Sequence, residues 1–121
     1  MLVAWRFTRE AANALATAVP VLRRAKQVHL VCAAEEAGGD PEPGMSAVRN
    51  FLLTHGIGRV EEHASLQARH PGQALLSLAR DVAADLIVMG CYGHSRAREL
   101  VLGGVTRTVL ESSTLPVWMA H

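Results

Sequence analysis

A chain of 121 residues, half of them hydrophobic, is long enough to bury a core and short enough to form one domain. Twelve basic side chains against eleven acidic ones leave a formal charge of +1, which argues against nucleic-acid binding driven by bulk charge. No apolar run reaches the length needed to span a bilayer, so neither a nucleic acid nor a membrane is expected as a partner.

Leu2 to Trp5 reads as a first strand, with no secretory leader ahead of it. Thr8 is placed to cap a helix whose first turn carries Glu10, and Ala11, Leu15, Val19 and Leu22 recur at helical spacing. Pro20 is expected to kink that helix or loosen its second half. Val28 to Ala33 reads as a second strand, and the acidic stretch 35–44, with its Gly and Pro, as a loop. Met45 to His55 predicts a second helix with Val48, Phe51 and Leu52 on its apolar face, ending near Gly56. Val60 to Leu66 alternates weakly and reads as a third strand. Pro71 opens a third helix running to Ala83 or Ala84, with Ala74, Leu75, Leu78 and Val82 as its apolar set. Leu86 to Met89 is apolar on both faces, as a central parallel strand should be. Val105 to Ser112 predicts the last helix, and Pro116 opens a final strand, Val117 to Ala120.

Strand and helix thus alternate four times before a closing strand. That order demands an α/β domain, with a parallel sheet, right-handed crossovers and helices on both faces. No internal repeat or boundary divides it, so residues 1–121 read as a single domain. Ligands of such sheets bind beyond the carboxyl ends of the strands, at the switch point. Here the first and fourth strands flank that point, with loops at 6–8 and 90–104.

The second of these loops carries the most distinctive spacing in the chain. Gly90 ends a strand, Gly93 follows after two residues, and the pair Gly103–Gly104 after nine more. Glycines there let backbone N–H groups approach an anion, and a helix start just after the second pair adds its dipole. The pattern predicts a two-part phosphate cradle; the competing reading is that the glycines merely make a tight loop. His94, Ser95, Arg96 and Arg98 either close over phosphate or form a solvated loop balanced by Glu99. Arg107 places a cation at a helix start, which opposes the dipole and favours an anion nearby.

Lys26 is the only lysine, so a P-loop lysine is missing. Cys32 and Cys91 suit reduced thiols, which together with the missing leader points to the cytoplasm. Two cysteines without clustered histidines lack zinc-site spacing. His29, His55, His63, His70 and His121 form no metal-binding motif and read as surface or strand-edge histidines, so no metal is expected. No nucleophile elbow or catalytic triad is evident, and no residue receives a catalytic assignment.

MGCYGHSRARELVLGGVTRTVL followed by LPVWMAH resembles the C-terminal signature of universal stress proteins: Gly, two residues, Gly, nine residues, Gly, then Ser or Thr. Gly90, Gly93 and Gly103 match it, and VAWRFTREAANAL resembles the family's first strand and helix. The YGHSR and GGVTR segments are similar to the second halves of tandem bacterial members. The resemblance implies a Rossmann-like, five-stranded parallel sheet in the order 3-2-1-4-5. It also implies a homodimer through the last strand, here with Leu115, Val117 and Met119. The implied site comprises Ala4, Trp5, Arg6, Ala33, Met89, Gly90, Gly93, His94, Gly103, Gly104, Val105 and Thr106, with ATP or another phosphate-containing ligand.

Two positions depart from the family pattern. Arg6 stands where the family has an acidic residue that contacts the nucleoside, and Gly104 stands where it has Ser or Thr. A carboxylate accepting bonds from a sugar is worth roughly 1.5–3 kcal/mol, and arginine cannot accept at all. The lost hydroxyl at 104 is worth about 1 kcal/mol, while glycine itself still serves as a helix cap. The expected function is a non-enzymatic, dimeric stress-response module with weakened or absent ATP binding. The alternative is an ATP-binding member with slow hydrolysis or phosphotransfer, for which Glu99 is the nearby acid able to hold magnesium.

Overall fold

The computed structural model describes residues 1–33, 42–66, 68–91 and 104–121. Five strands, β1 (Leu2–Trp5), β2 (Val28–Cys32), β3 (Val60–His63), β4 (Ile87–Gly90) and β5 (Val117–Ala120), alternate with four helices. The helices are α1 (Arg9–Leu22), α2 (Glu42–Thr54), α3 (Pro71–Asp81) and α4 (Gly104–Ser112). The sheet is wholly parallel and runs β3-β2-β1-β4-β5, the expected order. Ala4 of β1 lies opposite Val31 on one side and Met89 on the other, so β1 is the central strand.

Alternation along the strands builds two core layers. Val3, Leu30 and Val88 pack with Ala14, Leu22, Val48 and Leu52, beneath α1 and α2. Leu2, Ala4, Val31, Ile87 and Met89 pack with Leu75, Ala79, Val105 and Val109, beneath α3 and α4. No helix among the described residues is long and apolar enough to cross a membrane.

Thr8 caps α1 as expected, its Oγ1 accepting from Ala11 N at 3.2 Å, and Ala11, Leu15, Val19 and Leu22 are all buried. Pro20 does not end the helix, which runs on to Leu22. The proline stands on the exposed side of the last turn, where its missing N–H removes a single bond. α2 starts earlier than the sequence suggests: Glu42, Pro43 and Gly44 are helical rather than loop, and proline fits a first turn, where its N–H has no helical partner anyway. β3 stops at His63 rather than Leu66.

α3 also ends earlier than expected, at Asp81. Ala83 adopts φ 51°, and its N–H bonds to Arg80 O while Ala84 N bonds to Ala79 O at 2.8 Å, closing the helix in a Schellman turn. α2 closes in the same way through Gly56 at φ 81°, with Ile57 N bonded to Leu52 O at 2.9 Å. The fully buried positions of α3 are Gly72, Leu75 and Ala79; of the expected set Ala74, Leu75, Leu78 and Val82, Leu75 is among them, and Leu78 and Val82 pack partly buried on the same layer. Position 72 must be small because α4 lies close: a Cβ on Gly72 would sit 2.7 Å from Thr108 Cβ.

Candidate functional site

The carboxyl ends of β1 and β4 lie side by side at the centre of the sheet, and the sequence placed its ligand there. β1 hands over to α1 through a short turn. Trp5 O accepts from Ala33 N at 2.8 Å, extending the ladder past β2, and Arg6 O accepts from Thr8 N at 2.8 Å. Trp5 is largely buried against the α1/α2 layer, and its ring meets Phe7 edge-on at 6.2 Å between centroids. Phe7 lies over Gly44 at the start of α2, where a Cβ would overlap its ring. The Trp5 indole Nε1 is shielded from solvent and has no hydrogen-bond partner among the described residues.

Gly90 closes β4 against the first turn of α1. A Cβ there would stand 2.5 Å from Ala11 N and 2.7 Å from the carbonyl carbon of Glu10. Close helix-to-strand packing is thus sufficient reason for this glycine. Cys91 N then donates to Ala120 O at 2.9 Å. The Cys91 thiol is buried; burial pushes its pKa up and the negative charge of Glu10 adds to the shift, so it is a poor nucleophile.

Ala4 and Met89 turn their side chains into the α3/α4 layer, so they can serve a ligand only through their backbone. Val105 and Thr106 are buried as well, Val105 within that same layer. Gly104 is the first residue of α4 rather than its cap, and a Cβ on it would meet nothing within 4 Å. Arg107 bonds Glu111 one turn on, Nε to Oε1 at 2.9 Å, and this contact raises its pKa. Its charge is thereby balanced within α4, and its position no longer argues for an anion. Gly93, His94, Ser95, Arg96, Arg98, Glu99 and Gly103 lie outside the described residues. Of the expected site, then, Ala4, Trp5, Arg6, Ala33, Met89 and Gly90 gather at adjacent strand ends, and Gly104 to Thr106 open α4.

Sequence reasoning missed a second grouping. His29 on β2 and His63 at the end of β3 bring Nδ1 and Nε2 to 2.9 Å, and Glu61 Oε2 stands 3.7 Å from His29 Nδ1. Burial, with the neighbouring His63, lowers the His29 pKa, against the opposing pull of Glu61. The grouping follows from strand register, with His29 opposite Glu61 and Val31 opposite His63. No motif spacing reports it, because the two histidines are 34 residues apart.

The family model described as the universal stress protein family matches residues 1–121. A universal stress protein of Synechocystis sp. is 44% identical over 48 residues, covering 40% of this chain and 17% of that protein. One from Methanocaldococcus jannaschii is 36% identical over 47 residues, covering 39% of this chain and 29% of that protein. The matched segments therefore span less than a third of either relative.

Among solved structures, the M. jannaschii protein superposes with a TM-score of 0.81 at 21% identity, covering 98% of this chain and 93% of that one. A universal stress protein in complex with cAMP gives 0.74 at 24%, covering 99% and 94%. An Archaeoglobus fulgidus member in complex with dAMP gives 0.68 at 22%, with the same coverage. The strand order, the helix layers and a family match along the whole length agree, and the chain belongs to the universal stress protein family.

Proposed function

We propose that this chain is a cytoplasmic stress-response module that works by binding, not turnover, and that it holds a phosphate-containing ligand at the carboxyl ends of β1 and β4. The observation that carries this reading is the Trp5 indole N–H, shielded from solvent and without a partner among the described residues. A buried donor left unpaired costs about 1–3 kcal/mol, a cost that an acceptor on a ligand would remove. The opening turn of α4 begins at the same end of the sheet, and with its unencumbered Gly104 it offers backbone N–H groups to phosphate. Relatives of the same fold that carry cAMP and dAMP support the ligand class.

Arg6 sets the nucleoside side apart. Its guanidinium donates only, so it suits phosphate oxygens and cannot accept from a ribose hydroxyl. ATP is therefore bound weakly, through its phosphates, and a second copy of the chain pairs along β5.

Calorimetry with ATP, AMP, cAMP and pyrophosphate tests the reading. Arg6→Asp is expected to raise ATP affinity by about tenfold, the worth of a charged hydrogen bond. Trp5→Phe should lower the affinity of whichever ligand binds, by about fivefold or more. Tight binding of magnesium-ATP by the unaltered chain, followed by its hydrolysis, would overturn the proposal.

A further inference from the structure

We infer that His29, Glu61 and His63 form a binding site for a divalent transition-metal ion, Zn²⁺ foremost, on the face of the sheet beside β3. Parallel pairing puts His29 opposite Glu61 and Val31 opposite His63, so the three side chains share one face. Val31 belongs to the layer under α3 and α4, which identifies that face. Their donor atoms all lie within 4.8 Å of one another.

The distances suit a shared ion. Ligand atoms bonded to zinc at about 2.0–2.1 Å stand about 2.9 Å apart at a right angle and about 3.4 Å apart in a tetrahedron. His29 Nδ1 and His63 Nε2 are already 2.9 Å apart, and Glu61 Oε2 is 3.7 Å from the first. Small rotations close the remaining gap. The His29 side chain is 13% exposed and held in place, whereas that of Glu61 is 59% exposed and can swing.

Two imidazoles and a carboxylate make a three-ligand zinc set whose fourth position takes water. Imidazole donors also select zinc, copper, nickel or cobalt over magnesium and calcium. The site is set apart from the β1 and β4 ends: His29 precedes Cys32, the last residue of β2, by three residues, or about 10 Å of strand, and His63, at the carboxyl end of β3, is separated from β1 by β2. The competing account of the 2.9 Å approach is a plain N–H···N bond between the two rings with no ion involved. Elsewhere the His55 ring lies against Phe51, tilted by 49° at 4.4 Å between centroids, and His70 is exposed at the start of α3.

Equilibrium dialysis of the metal-stripped full chain against Zn²⁺ near neutral pH decides the matter. One ion per chain is expected, with micromolar or tighter affinity, and Co²⁺ in its place should give visible d–d bands. Glu61→Gln should weaken binding by about tenfold or more and His63→Gln by more again, with both variants folded by circular dichroism. Zn²⁺ should raise the thermal midpoint of the unaltered chain and leave that of His63→Gln in place. His70→Gln, the exposed control, should bind like the unaltered chain. Failure to bind one equivalent, or equal losses in His70→Gln and His63→Gln, would overturn the inference, whatever the nucleotide measurements give.

Discussion

Gly90 and Gly104 both belong to the glycine spacing that first marks this chain, yet they answer to different physics. Gly90 is held to hydrogen by the backbone of Glu10 and Ala11, which cannot retreat without moving the start of α1. Gly90→Ala should therefore cost about 2–3 kcal/mol, as overpacking against a fixed neighbour does. Gly104 faces open space, and Gly104→Ala should change stability by less than about 0.5 kcal/mol. Urea unfolding of the two variants separates the cases; equal losses would mean that the packing against α1 does not constrain Gly90. The spacing singled out both residues. It could not say why glycine is required, because the Gly90 constraint comes from a helix some eighty residues earlier in the sequence. Arg107 teaches the same lesson: its place at a helix start is visible in sequence, whereas the bond to Glu111 depends on which rotamers the helix surface selects.

Among the elements, α2 and α3 end in the same turn with different residues at the left-handed position. Gly56 takes φ 81° without steric penalty, whereas Ala83 at φ 51° brings its Cβ close to the backbone. Ala83→Gly should therefore stabilise the chain by about 0.5–1 kcal/mol, after allowance for the extra freedom glycine gives the unfolded state. A higher urea midpoint at unchanged slope is the expected result. The order and type of the nine elements among the described residues were legible, since apolar periodicity and the Thr8 and Pro71 start signals carry them. What misled lay at the boundaries. The Glu, Pro and Gly of residues 42–44 have loop character by composition but occupy the first turn of α2, where the positions cost little. The stripe on α3 was read in part: Leu75, Leu78 and Val82 face the core layer, while Gly72 and Ala79 went unlisted because glycine and alanine carry little apolar signal and the packing of α4 on Gly72 is a tertiary contact. The meeting of His29, Glu61 and His63 was illegible because it depends on the register between two strands.

At the scale of the molecule, the two margins of the sheet differ. Ile87 N bonds to Pro116 O and Cys91 N to Ala120 O, so the backbone groups of even-numbered residues on β5 turn toward β4. Those of Val117 and Met119 therefore turn outward, while their side chains, with that of Leu115, rest partly buried on the α3/α4 layer. The proposed homodimer would be held by this outward backbone, with the side chains adding contact at the rim. Met119→Pro removes one outward donor and leaves the ladder to β4 intact, so sedimentation should show a folded chain with a dimer weakened by about fivefold or more. An unaltered dimer would place the interface elsewhere. Across the sheet, β3 presents Glu61, Glu62 and His63, with Glu62 paired to Arg49 of α2. A margin so rich in charge discourages further strand addition. With one margin apolar and the other guarded, association of the proposed kind would stop at two copies facing each other about an axis, because the sheet of the described residues has no second open margin on which a fibre could grow.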